Sequence, residues 1–336
     1  MIKIEEFLDI SRVGQLLNDR LAEIEPTWSN IVVSQAKIIK QNVHHDYYNL
    51  VAAYEASYCQ NGVTQQLTIY CSAHSNESRQ QTMDNLKLLW AKNIPSSRFQ
   101  ANWPLFYEPS CRAIFYIGLP GQNLFQYFQV GNRAEILDKI ELTATWLARL
   151  HVMTQGSTDW PDSRQRRIGQ IVPGRDKALE KIAKICPQYH SRYIRIYDIM
   201  ESRENEHWPS AENLAIIHGD LHPENVVVNQ EGAAIIDWAD ASLADPIRDI
   251  GSFSQQLIFM GMHQIKDEAY WQEARNIFEQ TYCQARNEPQ PVDWAERLKT
   301  YYYFTAFRTA IYFVTKSGPE PSQADGLLNE IEASLY

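Results

Sequence analysis

Three polar residues that could carry out phosphoryl transfer lie at the ends of short apolar segments in the second half of the chain. They are Asp220, Asn225 and Asp237. One carboxylate can orient an attacking hydroxyl and accept its proton, while a second carboxylate and an amide oxygen can hold Mg²⁺ on the phosphates of a nucleotide. Taken in chain order, the three residues fit these roles, so their types and spacing predict transfer of a γ-phosphoryl group.

The segments that carry these residues predict a β-hairpin. Short apolar runs bounded by turn-forming residues are typical of buried strands, and residues 229–232 form a credible turn between two such runs. A turn centred there places Asn225 opposite Ile236, with Asp237 beside it at the open end of the hairpin. We therefore expect the two predicted metal ligands to lie close together, with Asp220 on a preceding loop that faces the same gap.

A metal-hydrolase site is an alternative interpretation of the same loop. His218, Asp220 and His222 alternate along it, and alternating residues on an extended segment project to one face, where they could bind Zn²⁺. Each residue taken singly could also be a simple turn former. The sequence shows no further histidine or acidic cluster at a fitting spacing, and phosphoryl transfer uses more of the loop. We therefore favour phosphoryl transfer.

Four segments in this order resemble the aminoglycoside phosphotransferase and choline kinase family, small-molecule relatives of the protein kinases. The His-Gly-Asp-Leu-His-Pro-x-Asn motif of that family stands at 218–225, and its Ile-Asp-Trp motif at 236–238. Upstream, 147–151 is similar to its Leu-x-x-Leu-His helix end, and 117–121 is similar to its interlobe hinge. The resemblance is specific from the hinge to the residues just after the second motif.

The resemblance implies an ATP-dependent phosphotransferase that acts on a hydroxyl of a small molecule, such as an aminoglycoside, choline, ethanolamine, a similar amino-alcohol or a sugar. Asp220 would be the catalytic residue, and Asn225 and Asp237 would hold Mg²⁺. Backbone groups at Ile117 and Leu119 would bond the adenine at the hinge. The identity of the acceptor, the choice between ATP and GTP, and the oligomeric state stay open.

Supporting roles are also implied by the resemblance. His218 would support the backbone of the loop, and His222 belongs to the same motif. Asp249 follows Asp245 and Pro246 as in the family and would bond the catalytic loop, although a local structural role fits it equally well. Asp245 before a proline has the pattern of a helix N-cap.

The composition is that of an ordinary globular protein. Of 336 residues, 44% are hydrophobic and 21% are charged. No apolar run approaches the roughly 20 residues needed to cross a bilayer, and the first residues lack a signal-peptide pattern. Five scattered cysteines without Cys-x-x-Cys spacing predict reduced, mostly buried thiols. We therefore expect a cytoplasmic location and no membrane partner.

The charge balance bears on the partner. The formal net charge is −10, which argues against a nucleic-acid partner and is compatible with a small cationic acceptor. Glu224 and Asp240 are candidates for contacts with such an acceptor. The aromatic residues at 301–304 and 312–313 have helical spacing, so core packing explains them, although part of the stretch could line a pocket for a cation.

Hydrophobic periodicity predicts an α+β chain with the two lobes of a protein-kinase-like fold. A small antiparallel β lobe that binds the nucleotide is expected at 1–118, and a larger, mainly helical lobe for catalysis and substrate binding at 119–336. In the first lobe the predicted elements are a helix at 3–25, strands at 31–40, 50–59 and 66–73, a helix at 78–92, and strands at 98–107 and 112–117. Helices of the second lobe are predicted at 133–153, 176–203, 246–262, 266–286, 292–316 and 321–335.

The predicted third strand departs from the kinase pattern. Kinase-like lobes use a lysine there to hold the phosphates, but 66–74 contains none. Lys37 and Lys40 on the first strand could reach the phosphates instead. The loop 41–49 also has no glycine to bring backbone close to them. An inactive kinase-like protein that only binds nucleotide or a small molecule is therefore the alternative, although retained, mutually repelling carboxylates argue for a bound cation and for activity.

Overall fold

The computed structural model describes residues 3–43, 47–92, 99–160, 167–230 and 232–335. The chain forms two compact units, each made of two segments. The first, here called the sheet unit, contains Met1–Gly121 and Val227–Ala239, and the second, the helical unit, contains Gln122–Val226 and Asp240–Tyr336. The single boundary predicted between residues 118 and 119 stays a prediction.

Strands dominate the sheet unit and helices dominate the helical unit. The strands are β1 (Trp28–Val43), β2 (Tyr48–Gln60), β3 (Val63–His74), β4 (Phe99–Ala101), β5 (Trp103–Glu108), β6 (Ala113–Ile117), β7 (Gln122–Asn123), β8 (Ala215–Ile217), β9 (Val226–Val228), β10 (Ala233–Ile235) and β11 (Ser242–Ala244). The α-helices are α1 (Ile10–Ile24), α2 (Gln80–Ala91), α3 (Leu124–Val130), α4 (Arg133–Thr154), α5 (Arg175–Ile185), α6 (His190–Glu206), α7 (Ile247–Gln264), α8 (Glu268–Arg286), α9 (Trp294–Thr315) and α10 (Pro321–Leu335). No helix among the described residues has both the length and the apolar character needed to cross a membrane.

The sheet unit is built on a five-stranded antiparallel sheet with the strand order β1-β2-β3-β6-β5. One face of this sheet packs against α1, whose apolar stripe Val13, Leu17 and Leu21 is buried. Asp9 starts this helix by accepting two backbone N–H groups of the first turn. The sheet and this helix enclose the core of the unit.

The register of the sheet determines which residues lie on the face away from α1. Lys37 pairs with Ala53, Ala53 with Tyr70, and Tyr70 with Tyr116. Directly paired residues project to the same face, and alternate residues such as Tyr54 are buried toward α1. Lys37, Tyr70 and Tyr116 therefore share the opposite face.

The predicted hairpin is present as β9 and β10. Asn229 closes its turn, because its backbone N–H donates to the carbonyl of Gly232 at 3.0 Å and its Oδ1 accepts the N–H of Gly232 at 2.9 Å. This pairing has the register predicted from the sequence. The strand β10 also pairs in parallel with β4, where Ala233 lies opposite Phe99.

Two of the predictions are wrong because each treats two separate elements as one. The strand predicted at 98–107, whose first residue lies outside the described ranges, is two strands separated by the buried Asn102: β4 pairs with the hairpin, and β5 pairs with β6. The helix predicted at 176–203 is also two, α5 and α6. Pro187 lies between them, and it has no N–H to donate and disfavours a helical residue before it.

Close packing of α7 on α9 organises the helical unit. A Cβ on Gly251 of α7 would lie 2.8 Å from the backbone nitrogen of Tyr302 in α9, so the two backbones approach closely only because this residue is glycine. The hydroxyl groups of Ser252 and Thr305 also lie 3.0 Å apart across this contact. The position of α9 relative to α7 is therefore fixed by small side chains.

Gly251→Ala is expected to lower the free energy of unfolding by about 1–3 kcal/mol, because the added methyl group overpacks the contact. Gly326→Ala is a matched control, since this glycine is also helical but a Cβ there would meet no atom within 4 Å. The control should be neutral or stabilise by up to about 1 kcal/mol through helix propensity. Urea unfolding followed by circular dichroism would measure both, and equal effects would contradict the packing argument.

Candidate active site

The loop that carries Asp220 leaves a buried strand and turns sharply. The strand β8 ends at Ile217, which pairs with Ser242 of β11. Gly219 then adopts φ +85°, and a Cβ on it would lie 2.3 Å from the carbonyl oxygen of Asp240, so glycine is required. After this turn the side chain of Asp220 is 43% exposed.

Asp249, in the first turn of α7, holds this loop by its backbone. Its carboxylate is fully buried and accepts the N–H groups of His218 at 2.6 Å and Gly219 at 2.9 Å. Burial alone would raise the pKa of this carboxyl, but the hydrogen bond from His151 and the other nearby donors lower it, so the group stays ionised. Asp249 therefore fixes the two residues directly before Asp220.

His151, in the last turn of α4, continues this buried network. Its Nε2 lies 3.3 Å from Asp249 Oδ2, and its Nδ1 lies 2.8 Å from the hydroxyl of Tyr282. These partners fit a neutral ring in which Nε2–H donates to the carboxylate and Nδ1 accepts the hydroxyl proton. Burial lowers the pKa of His151. Below about pH 6.5 the unfolded chain therefore takes up a proton that the folded chain resists, and acid destabilises the fold.

Asp245 connects the start of α7 to α9. The predicted N-cap is off by one residue, because Pro246 occupies that position and the helix begins at Ile247. The carboxylate of Asp245 nevertheless accepts the backbone N–H of Ile247 at 3.0 Å. It also accepts a hydrogen bond from Arg297 Nε at 2.9 Å, with both side chains almost fully buried. This ion pair is a contact that the sequence did not reveal.

Asn225 and Asp237, the predicted metal ligands, each keep an oxygen that has no partner in the described part of the chain. Asn225 donates its Nδ2 to the carbonyl of Asp220 at 3.0 Å, which leaves its Oδ1 available. Asp237 adopts φ +64°, which few non-glycine residues do, and its exposed carboxylate makes no hydrogen bond or ion pair within the described ranges. Free oxygens of these two types suit a hard divalent cation.

The zinc interpretation lacks a ligand set. Within the residues that the structure describes, no group of three or more His, Cys, Asp or Glu side chains could hold a metal ion. His218 is buried, and its Nδ1 accepts the backbone N–H of Asp220 at 3.3 Å. His222 lies near the same carboxylate, with Nε2 4.0 Å from Asp220 Oδ2. His218 thus contacts the loop backbone rather than a metal site.

Arg308, in α9, is a residue of the site that sequence reasoning missed. Its Nη1 donates to Asp220 Oδ1 at 3.1 Å. Burial raises the pKa of Asp220, but Arg308 and the nearby imidazoles of His222 and His218 lower it, so this carboxylate is ionised. The partners are 88 positions apart, and Arg308 belongs to an aromatic helical stretch whose spacing indicated only core packing.

Asp220 and Arg308 line an open cavity of about 490 Å³ in the helical unit. Its wall is formed by residues 171–173, the loop that carries Asp220, and residues of α6, α7 and α9. Its volume lies in the range of small-molecule sites. Glu224 and Asp240, the predicted substrate contacts, are half-buried, and neither lines this cavity. The residues that surround a ligand here therefore differ from those that the sequence suggested.

The predicted nucleotide contacts belong to the sheet unit. Ile117 ends β6 and pairs with Ile69 of β3, and Leu119 is buried two residues later. Lys37 and Lys40 are exposed on β1, which is an edge strand of the sheet. No lysine is present in β3. These lysines lie at the outer side of the sheet rather than near its centre.

Arg79 is a cation of the sheet unit that the sequence did not single out. It directly precedes α2 and donates its Nη2 to Asn49 Oδ1 at 3.1 Å, while its Nε is buried with no hydrogen-bond partner among the described residues. Burial raises the pKa of Tyr116; the charge of Asp237 raises it further and that of Arg79 lowers it. Both charges therefore lie near this hydroxyl.

One family model and one curated relative match parts of this chain. A family model described as the phosphotransferase enzyme family, APH, matches residues 67–294. The uncharacterized protein YcbJ of Bacillus subtilis (strain 168) is 40% identical over 48 residues, which are 14% of this chain and 15% of that protein. The chain thus matches only a small part of the length of this curated relative.

Solved structures share the fold at low sequence identity. Choline kinase from Cryptosporidium parvum Iowa II has a TM-score of 0.64 at 14% identity, covering 97% of this chain and 95% of that one. Amicoumacin kinase hAmiN, solved with AMP-PNP, Ca²⁺ and Ami, has a TM-score of 0.60 at 14% identity and covers 95% and 93%. Spectinomycin phosphotransferase, solved with ADP and spectinomycin, has a TM-score of 0.52 at 14% identity and covers 95% and 97%. The predicted α+β, protein-kinase-like fold class is confirmed.

Asp249→Asn is expected to lower the free energy of unfolding by about 3–5 kcal/mol, because an amide would turn an N–H₂ group toward buried N–H donors. Asp267→Asn is the control: its carboxylate pairs with the exposed Arg133, and its loss should cost at most about 1 kcal/mol. Urea unfolding at neutral pH measures both. Similar values for the two variants would show that Asp249 does not anchor the loop.

Proposed function

Because the chain belongs to the phosphotransferase enzyme family, we propose that it moves the γ-phosphoryl group of ATP to a hydroxyl of a small molecule. The observation that carries this proposal is the position of Asp220. An ionised carboxylate on a loop held by a buried carboxylate lines a cavity large enough for a small acceptor. A nucleic-acid partner does not fit a cavity of this size or a net charge of −10.

Asp220 would orient the acceptor hydroxyl and take its proton. A bond forms between the acceptor oxygen and the γ-phosphorus, the bond from that phosphorus to the β,γ-bridging oxygen breaks, and ADP leaves. With its lowered pKa, Asp220 is a weak base toward a free alcohol. It accepts the proton as the new oxygen–phosphorus bond makes that proton acidic, so its main contribution is orientation.

Asn225 and Asp237 would hold Mg²⁺ through the oxygens that have no partner in the described structure. The ion, when bound, neutralises charge on the β- and γ-phosphates. For the nucleotide, backbone groups near Ile117 and Leu119 would bond the adenine, and Lys37 and Lys40 are the candidates from the sequence for the phosphates. His218, His222 and Asp249 would keep the loop in place.

Known proteins with this fold support the choice of donor. Amicoumacin kinase was solved with AMP-PNP and Ca²⁺, and spectinomycin phosphotransferase was solved with ADP. These complexes support the use of an adenine nucleotide and a divalent cation here. A nucleotide donor also fits the predicted cytoplasmic location. The acceptors named with these structures differ from one another, so they do not select one for this chain.

A nucleotide-binding protein without turnover is the second candidate, and the absence of a lysine in β3 favours it. The free oxygens of Asn225 and Asp237 favour activity, because an unpaired carboxylate in a strained conformation has no structural use in the described residues. Measurement of Mg²⁺-dependent ATP binding and of turnover separates the two candidates.

Asp220→Asn is expected to reduce ADP formation with a panel of alcohols by roughly 100- to 10,000-fold while nucleotide affinity stays nearly unchanged. The amide keeps the shape of the side chain but cannot take the proton. Near-normal turnover in this variant would rule out the assigned role.

Asp237→Ala should instead abolish Mg²⁺-dependent nucleotide binding. Thermal unfolding of the wild type with Mg²⁺ and ATP at about 100 times the dissociation constant should show about 2.7 kcal/mol of stabilisation over Mg²⁺ alone, and the variant should show none. A shift that persists in Asp237→Ala would remove this residue from the metal site, and no shift in the wild type would favour a function without ATP.

A further inference from the structure

The charges of the cavity beside Asp220 differ from those of the chain as a whole. Among the described lining residues, Asp220 carries the single carboxylate, Arg308 the single permanent cation and His222 the imidazole. The ion pair between Asp220 and Arg308, at 3.1 Å, leaves little net negative charge in the wall. The net negative charge of the chain therefore comes from residues outside this cavity. It does not make the cavity a site for polycations.

Arg308 has donors available for a ligand. A guanidinium carries five N–H groups, and Arg308 directs one nitrogen toward Asp220 while 28% of its side chain is exposed. A guanidinium can bind an anion with two parallel hydrogen bonds.

A cationic ligand would gain little from the aromatic part of the wall. Ammonium groups bind over aromatic faces, and Tyr312 and Phe259 line the cavity. The Nζ of Lys316, however, already lies 5.8 Å from the centre of the Tyr312 ring. Arg308 would also repel a cation placed beside Asp220. The aromatic residues serve better as an apolar surface.

Much of the remaining wall is apolar. Its apolar residues include Ile171, Val172, Pro173, Leu221, Phe304 and Ile311, together with Phe259. A surface of this kind stabilises a ligand by removing its apolar area from water. The cavity thus combines an apolar wall, one guanidinium and one carboxylate.

We propose that the acceptor is an alcohol with an apolar body and an anionic group such as a carboxylate, in which Arg308 binds the anion and Asp220 binds the hydroxyl. This inference rests on the proposed function, because it takes Asp220 to be the residue that orients the hydroxyl.

Three para-substituted benzyl alcohols whose para groups are anionic, neutral and cationic test this class: 4-(hydroxymethyl)benzoate, 1,4-benzenedimethanol and 4-(aminomethyl)benzyl alcohol. Calorimetric titration of the full chain with Mg²⁺ and AMP-PNP should show the benzoate binding at least about tenfold more tightly than the diol, and the amine most weakly. ADP formation with Mg²⁺-ATP should follow the same order. A wild type that prefers the diol or the amine would overturn the proposal.

Arg308→Gln should abolish the preference for the benzoate over the diol, and Arg308→Lys should restore part of it, because the charge returns without the planar fork. Thr309→Val, a change in an uncharged lining residue, should leave the ratio as in the wild type. A preference that survives in Arg308→Gln would assign the anion to another group. Binding of ATP without binding of any alcohol would refute the acceptor class alone, whereas absence of ATP binding would refute the proposed function.

A second inference concerns the sheet unit. The Tyr116 hydroxyl lies near Asp237, and Arg79 lies near the same hydroxyl with a buried Nε that has no partner among the described residues. Lys37, by contrast, is three strands away from Tyr116 in the sheet, roughly 14 Å at about 4.8 Å per strand. The charge of Arg79 therefore acts on the same hydroxyl as that of Asp237, whereas Lys37 lies three strands away from it.

From this arrangement we infer that Arg79 supplies the positive charge for the nucleotide phosphates that β3 lacks. The inference rests on the proposed function, because it requires ATP to bind. The hydrogen bond from Arg79 to Asn49, at the start of β2, would hold the guanidinium in place. Its Nη1, which has no hydrogen-bond partner among the described residues, would donate to a phosphate oxygen.

Titration of the full chain with ATP and with adenosine, each with Mg²⁺, separates phosphate binding from base binding. Arg79→Gln should weaken ATP at least about tenfold and leave adenosine unchanged, and Arg79→Lys should retain part of the ATP affinity. Arg12→Gln, the same change at an exposed arginine of α1, should bind ATP as the wild type does. Unchanged ATP affinity in Arg79→Gln, or an equal loss for both ligands, would overturn this assignment. A wild type that binds adenosine but not ATP would refute the proposed donor as well.

Discussion

A buried carboxylate that accepts backbone N–H groups is the constraint on which the loop carrying Asp220 depends. Asp249, in α7, accepts the amides of His218 and Gly219 and is fully buried. An unpaired carboxylate in this environment would cost several kcal/mol. Because its donors are main-chain groups, the carboxylate determines the path of the loop more than the identity of its side chains. The path of the loop in turn determines the position of Asp220.

The carboxylates of the helical unit follow a common rule. Asp245 is paired with Arg297, Asp220 with Arg308, and Asp249 with backbone donors and His151. Each charge is therefore compensated before any ligand binds. Asp237, in the sheet unit, has no such partner in the described residues. This difference distinguishes Asp237, whose carboxylate suits a cation, from the three carboxylates that already have partners.

Sequence reasoning succeeded where a local pattern decides the structure. The hairpin register followed from the turn at 229–232, since turn chemistry fixes strand pairing over a few residues. The long helices followed from their apolar periodicity. The break at Pro187 was visible in the sequence, but strong periodicity on both sides obscured it.

The contacts that sequence reasoning missed join distant parts of the chain. Arg308 meets Asp220 across 88 positions, and nothing in the helical spacing distinguishes it from its core-packing neighbours. Arg79 contacts Asn49 across 30 positions and acts on Tyr116 through the tertiary structure, so no local pattern distinguishes it. The strand β4 was merged with β5 because parallel pairing with β10 is set by tertiary structure and not by local propensity.

The left-handed backbone of Asp237 has a consequence for how this sequence can drift. At φ +64° an aspartate carries a conformational penalty of about 1 kcal/mol that glycine escapes. A lineage released from selection for metal binding would therefore gain stability by replacing this residue with glycine, a change that needs a single nucleotide. On the proposed function, backbone stability favours glycine at this position and metal binding favours aspartate.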